Sequence, residues 1–245
     1  MPARRTIAAF FAALSLGFLG SGPMAAEKVR GSGQVRTEAR PVSPFEAIRV
    51  TGGMKIVLRQ AGREGVEVRA DDNLLALIET RVVNGADGPT LEIGPVRNVD
   101  WSSRHDVEVT VDLVRLKALR VDGSSDVHCD ALKTSALALE VRGSGDLRFL
   151  QLEAEELRVR VAGSGDVEAR GRARRLAVSV AGSGDVNTRG LVAESVSVTI
   201  AGSGDASVNA QQTLAVSIAG SGDVTYTGDA ALQSSIAGSG TVRRR

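Results

Sequence analysis

A tetrapeptide, Gly-Ser-Gly-Asp or a near variant, recurs seven times through the second half of this 245-residue chain. The copies are Gly123-Ser-Ser-Asp126, Gly143-Ser-Gly-Asp146, Gly163-Ser-Gly-Asp166, Gly182-Ser-Gly-Asp185, Gly202-Ser-Gly-Asp205, Gly220-Ser-Gly-Asp223 and Gly238-Ser-Gly-Thr241. Their starts lie 20, 20, 19, 20, 18 and 18 residues apart. A unit of that size cannot bury its own apolar face, so it must stack on its neighbours. The period therefore restricts the chain to one elongated body.

The residues around each motif say what the unit is. Leu157-Val159-Val161, Leu176-Val178-Val180, Val196-Val198-Ile200 and Leu214-Val216-Ile218 each alternate with polar or small residues before a motif. Alternation of β-branched residues with period two is a half-buried strand. A shorter alternation follows each motif, as at Val167 and Ala169, and a polar turn such as Arg170–Arg175 follows that. In the copy from Leu157 the odd positions stay apolar or Gly through Ala169, while Ser164, Asp166 and Glu168 fall on even ones. The parity predicts glycines facing the axis at a corner, where a side chain would fill the space of the bend, with Ser and Asp outside. At about 3.3 Å per residue, 20 residues trace a loop of roughly 66 Å, enough to enclose one layer of Leu and Val. The predicted fold is all-β, a single-stranded parallel β-helix or solenoid with about 18–20 residues per coil, right-handed by the crossover rule.

Three segments follow. Residues 1–26 read as a secretory signal peptide: Arg4 and Arg5, an apolar run from Thr6 to Leu19, then small residues to Ala26. Residues 27–122 read as an irregular N-terminal β part of the same solenoid, and 123–245 as its regular repeats. In the irregular part, strands are expected at Ala47–Val50, Ile56–Arg59, Val66–Arg69, Thr90–Ile93 and Val107–Val111. Gly31-Ser-Gly33 and Thr51-Gly-Gly-Met54 read as decayed corners. Asp71-Asp-Asn-Leu-Leu-Ala-Leu-Ile-Glu79 suits a short capped helix. At the other end, Ser234 takes a place that other coils give to a core apolar residue, and the chain ends on Arg243–Arg245. Charges at an open solenoid end discourage stacking, so a monomer is expected.

Composition removes several functional classes. Without Arg4 and Arg5, the 30 lysines and arginines nearly balance the 29 acids, leaving no electrostatic argument for nucleic acid. Aromatic residues are 3% of the chain, too few for a stacking platform. Cys129 stands alone, so it can form no internal disulfide and lies too far along to carry a lipid anchor. No stretch after Ala26 reaches the roughly 18 apolar residues of a membrane-spanning helix.

Chemistry could still reside in the repeats. Asp126, Asp146, Asp166, Asp185, Asp205 and Asp223 should form a column, and hard oxygen ligands suit calcium. Adjacent carboxylates 4.8 Å apart in water repel by about 0.9 kcal/mol, so such a column needs some compensation. The Asp directly after the second Gly departs from the calcium β-roll pattern, and Thr241 is a poor ligand but a good turn cap. Corner capping, with Asp or Ser accepting N–H groups, is the preferred reading. A phosphate-cradling loop would need a helix after the glycines, and a strand follows instead.

Only His105 and His128 could act as bases near neutral pH. His128 flanks Asp126 on the outward parity, Cys129 falls inward as a packing residue, and His105 lies by Trp101 and Asp106 in a surface loop. Arg142, Arg148, Arg158, Arg160, Arg170, Arg172, Arg174 and Arg175 belong to a charge-mixed face that could alternatively contact acidic polysaccharide. No catalytic, cofactor-binding or metal residue is expected.

The residues also resemble a known family. Tandem Ala-Gly-Ser-Gly-Asp-Val at 162–167 and 181–186, the entry Gly31-Ser-Gly…Phe45-Glu-Ala-Ile-Arg-Val50, the stretch Ala70-Asp-Asp-Asn-Leu-Leu…Ile78-Glu-Thr80, and Val107–Val111 leading through Leu116–Leu119 carry the likeness. Over nearly the whole mature length the chain is similar to the head GIN domain of putative auto-transporter adhesins, a bacterial envelope family. The resemblance implies an exported β-helical domain and brings no catalytic residues. With no barrel-like translocator in the sequence, a full autotransporter is not expected. The expected role is a non-catalytic envelope or cell-surface module in the periplasm, on the outer surface or secreted. Its ligand would be an unidentified envelope or surface partner such as polysaccharide. The alternatives are a carbohydrate-active enzyme on a β-helix and a calcium-stiffened surface repeat.

Overall fold

The computed structural model describes residues 27–245 except Asn98. The expected leader, 1–26, lies outside the described residues. In chain order the strands are β1 (Glu27–Arg30), β2 (Val35–Arg40), β3 (Ala47–Gly52), β4 (Lys55–Gln60), β5 (Gly65–Asp71), β6 (Ile78–Gly85), β7 (Gly88–Pro95), β8 (Val99–Ser102) and β9 (Glu108–Leu113). There follow β10 (Ala118–Gly123), β11 (Asp126–Gly143), β12 (Leu147–Gly163), β13 (Val167–Gly182), β14 (Val186–Gly202), β15 (Ala206–Gly220), β16 (Val224–Thr227), β17 (Ala231–Gly238) and β18 (Val242–Arg244). All five strands expected in the first half are present.

From β10 onward each coil lies in parallel on the one before. Gly123, Gly143, Gly163, Gly182, Gly202, Gly220 and Gly238 are successive partners, so the motif spacing in the sequence is the register of the solenoid. The inward set is buried coil after coil: Leu157, Val159, Val161 and Val167 each expose 2% or less. Burying such a side chain stabilises by roughly 1.5–3 kcal/mol, and a repeat stacks several per coil.

The polar turn expected over 170–175 is a third ladder segment instead. Gly171, Arg172 and Ala173 pair with Leu152, Glu153 and Ala154, and Ala173 is buried. Register shifts cluster between the short strand and this segment, between Phe149 and Leu152, Glu168 and Gly171, and Asn187 and Val192. The differences in coil length are absorbed there, away from the glycine column. Polar composition hid the segment because, over 170–175, only Ala173 is buried.

The glycines answer to the stacking of coils as well as to the inward parity. Gly163 is half-buried and Gly165 buried, but a Cβ on either would overlap the carbonyl oxygen of the matching glycine one coil back, Gly143 or Gly145. The overlap lies along the stacking direction at both, and at Gly165 a Cβ would also crowd the buried Val141 side chain (2.9 Å), as the inward parity expects. Gly163 also has φ +138°, a region essentially closed to residues with a Cβ. Ser125 holds the second glycine's place in the first copy because the coil beneath it differs: its hydroxyl accepts from Met54 N (3.0 Å) and donates to Gly52 O (3.0 Å).

The N-terminal half is not threaded in sequence order. β3 lies between β7 and β10, and β4 lies between β9 and β11. The chain lays down its second layer first, leaves it to build the end layer, and returns to continue the column. Thr51-Gly-Gly-Met54 is a true corner, with Gly52 opposite Gly123. Gly31-Ser-Gly33 is not in that column; Ser32 bonds to Asn73 and Asp72 instead. The antiparallel pairs β2–β5, β5–β9 and β6–β7 close this end.

The helix expected near 71–79 shrinks to one 3-10 turn, Leu75–Leu77, without a side-chain cap. Leu74, Leu75 and Ile78 are buried, so core packing takes the segment, and Asp71 is drawn inside.

Candidate functional site

The aspartate column forms as expected, and its hydrogen bonds assign it a structural task. Asp146 Oδ1 accepts the amide of Asp166 (2.9 Å), Asp166 that of Asp185 (2.9 Å), Asp185 that of Asp205 (2.8 Å) and Asp205 that of Asp223 (2.8 Å). Thr241 ends the ladder by donating both its amide and its hydroxyl to Asp223 (2.8 Å each). The Thr241 hydroxyl, then its amide, hold the Asp223 carboxyl below the usual range. Each carboxylate thus caps the corner of the next coil, not its own corner. The column forms part of an open groove of about 530 Å³ alongside His128, Arg148 and Glu168. Within it Arg148 pairs with Glu168 (3.1 Å), leaving a charge-mixed surface. Among the described residues no group of three His, Cys, Asp or Glu is placed to hold a metal ion.

The other singled-out residues separate. Cys129 is buried in line with Phe149 and Ala169, and burial, then the Asp130 charge, push its thiol up to about 12. It packs and is not a nucleophile at neutral pH. His128 points outward as parity requires, but its Nε2 meets Asp130 (2.8 Å), not Asp126. Arg170 pairs with Glu168 (2.7 Å), Arg172 approaches Glu153 (3.8 Å) and Arg175 approaches Glu156 (3.7 Å). These arginines offset acids on their own or the neighbouring coil.

His105 has a more defined setting than a plain surface loop. Its Nδ1 lies 2.9 Å from Oδ1 of Asp71, a carboxylate only 1% exposed, and Ser103 Oγ donates to Asp71 Oδ2 (2.7 Å). The Ser103 hydroxyl, more than the histidine, holds the Asp71 carboxyl below its ordinary range against the opposing effect of burial. Ser103 and His105 both bond to Asp71, so the Ser103 hydroxyl proton is given to the carboxylate and not to the imidazole. The cluster ties the segment after β8 to the end of β5. Two adjacent acids before an apolar run resemble a helix cap, which is why sequence alone misplaces Asp71.

The concavity that departs from the uniform column is on another face. The β6–β7 hairpin leaves the end layer and its tip, Ala86-Asp87, rises over the outer surface of β3 and β10. Asp87 reaches to 4.0 Å from Arg120, which also holds Glu140 (2.8 Å). The hairpin walls a groove of about 480 Å³ that runs along the coils to Ser197 and Thr199. Its floor is two rows of outward positions on successive coils, Ala118, Ala138, Arg158, Ala177 and Ser197 in one and Arg120, Glu140, Arg160, Ser179 and Thr199 in the other. Arg49 pairs with Asp122, Arg120 with Glu140 and Arg158 with Glu156, while Arg160 has no carboxylate partner among the described residues. Desolvation opposes ionisation of Glu140, but hydrogen bonds from Arg120 and Arg142 outweigh it and hold that carboxyl below the usual range. The sequence signal for the wall was Asn84-Gly-Ala-Asp-Gly88, a glycine-bracketed turn between alternating segments.

Comparison with known proteins agrees with this architecture. Residues 44–230 match the family described as putative auto-transporter adhesin, head GIN domain. A putative adhesin from Bacteroides fragilis is similar in structure, with TM-score 0.81 and 25% identity, over 89% of this chain and all of that one. A putative lipid binding protein from Parabacteroides distasonis aligns with TM-score 0.75 and 25% identity, over the same shares. A putative adhesin from Parabacteroides merdae shares the fold at 21% identity, TM-score 0.68, over 90% of this chain and all of that one. No curated protein matches the chain. No helix among the described residues is long and apolar enough to cross a membrane.

Proposed function

This chain belongs to the head GIN domain family of putative auto-transporter adhesins, and from that premise we propose that it is an exported, non-catalytic envelope or cell-surface module that binds an extended acidic polysaccharide in the hairpin-walled groove. The observation that carries the reading is the groove itself. It combines a long floor of Ala, Ser and Thr interleaved with arginines, one raised wall, and Arg160 without a carboxylate partner among the described residues. A long groove along the coils suits a chain-like ligand, and Arg160, with Arg158 beside it on one strand, can meet its carboxylates. Shape excludes bulk and charge selects sign.

Affinity electrophoresis through polygalacturonate tests this directly. Retardation is expected, decreasing with salt. The Arg158→Ala/Arg160→Ala double variant should bind at least about tenfold more weakly. Substituting Arg170, Arg172, Arg174 and Arg175 should change little, because none of them lines the groove. Retardation unaffected by the first substitution overturns the assignment of the groove. The description of one relative as lipid binding supplies a second arm: co-sedimentation with phosphatidylglycerol vesicles, without retardation by polygalacturonate, replaces the polysaccharide with a lipid.

A further inference from the structure

The C-terminal end of the solenoid is open. β17 pairs with β15 on one side, and no strand among the described residues pairs with its outer edge. Leu232 and Ile236 occupy inward positions in register with Leu214 and Ile218, yet they are 39% and 42% exposed, because no coil covers them. The backbone is open as well. On this side of the coil the outward-facing residues send their amides to the coil before, as Ala138 does to Lys117. In a parallel ladder the alternate residues face the other way. At β17 these are Leu232, Ser234 and Ile236, whose N–H and C=O groups therefore point away from β15, to the side left open among the described residues.

We propose that this edge is closed by a second copy of the chain, end to end, about a two-fold axis through Ser234. A two-fold makes the two β17 strands antiparallel. Centred on Ser234, it sets Leu232 against Ile236 of the second copy, Ser234 against its own equivalent, and Gln233 against Ser235. The segment Ala231-Leu-Gln-Ser-Ser-Ile-Ala237 reads nearly the same in both directions about that residue. The register is the hydrogen-bonded one, since the three residues with free backbone groups are those brought opposite. It also accounts for a serine at a core position. Two serines meeting on the axis can bond to each other, where the valine of the equivalent position, Val216, could not.

The shape of the end favours the same symmetry. A coil rises as it winds, so the end surface is a ramp, lowest at Gly228–Ala230, higher at β17 and highest at β18, which covers β16. Rotation about the middle of β17 lays the high step of each copy over the low step of the other. Arg243–Arg245 of β18 then lie over Asp229, whose side chain is 89% exposed and which Arg244 already contacts within its own chain. On net charge the three arginines argue for a monomer; by position they meet an acid. Head-to-tail stacking is disfavoured because antiparallel strands close the other end, so the contact is isologous and stops at two copies.

Light scattering on the purified chain over a dilution series should give twice the chain mass at about 100 μM, with dissociation on dilution. Ile236→Lys, at an already exposed position, should leave the circular dichroism spectrum unchanged and weaken the dimer at least about tenfold. Ser234→Cys should form an intermolecular disulfide under mild oxidation, whereas Leu232→Cys, which faces Ile236, should not; Cys129 is buried and does not compete. A monomer throughout the series overturns the proposal. So does a dimer insensitive to Ile236→Lys, or Ser234→Cys cross-linking no faster than Leu232→Cys.

Discussion

At the corner, each repeat glycine is fixed by two independent demands, a backbone conformation and a neighbour. Gly163 combines φ +138° with a carbonyl of the previous coil where its Cβ would sit. Gly62, at φ +70°, has open space around the same position. Gly62→Ala should therefore cost about 1–2 kcal/mol, the strain of the left-handed conformation alone. Gly163→Ala should cost more than about 3 kcal/mol, because overlap adds to strain. Urea denaturation of the two variants measures the difference; equal costs would show that stacking imposes no constraint. Cys129 allows a second check at this scale. With its thiol pushed up to about 12, it should resist a thiol reagent at pH 8 until the chain unfolds. Labelling of the native protein at the rate of a free thiol would contradict its placement in the core.

At the scale of the repeat, the aspartates form a relay of caps. Asp166 supplies an acceptor to Asp185 N and receives nothing that requires its charge. Asp166→Asn keeps the acceptor and should be nearly neutral, whereas Asp166→Ala should destabilise by about 0.5–1.5 kcal/mol, the net value of one such bond. If the two variants were equally destabilised, the carboxylate charge would matter more than the acceptor. Calcium chloride at millimolar concentration should leave the thermal midpoint of the wild type unchanged, because one oxygen of each ladder carboxylate is already committed. The sequence made the existence of the column legible through its period. The direction of the bonds was not legible, because the acceptor and its donor are 18 to 20 residues apart and belong to different copies. The third ladder segment was missed for a related reason: Arg172, Arg174 and Arg175 dominate its composition, and only Ala173 is buried.

Across the whole molecule, acid should be the weak side of the stability profile. The carboxyls of Asp71, Asp106, Glu140, Glu168 and Asp223 are all held below their ordinary values. Lys55 does this for Asp106, and Arg170 foremost for Glu168, with Arg148 adding to it. Each folded value lies under the unfolded one, so the stability they contribute is complete above about pH 5 and declines as pH falls through the folded values. Thermal midpoints should be level from about pH 8 to 5 and fall below about pH 4; a midpoint that rises in acid would reverse the sign of the linkage.

By itself the sequence determined the winding of this protein. Period, parity and the Gly-Ser-Gly-Asp column specify parallel coils, their length, their core and even their register, because identical residues must stack to satisfy one another. Only the tertiary structure decided how the column begins and what departs from it. That β3 lies between β7 and β10, that Asp71 is buried against Ser103 and His105, and that the Ala86-Asp87 tip walls a groove all depend on contacts between segments with no periodic relation. A repeat writes its neighbour into its own sequence; the irregular end, and the site it shapes, are settled by which distant surfaces meet.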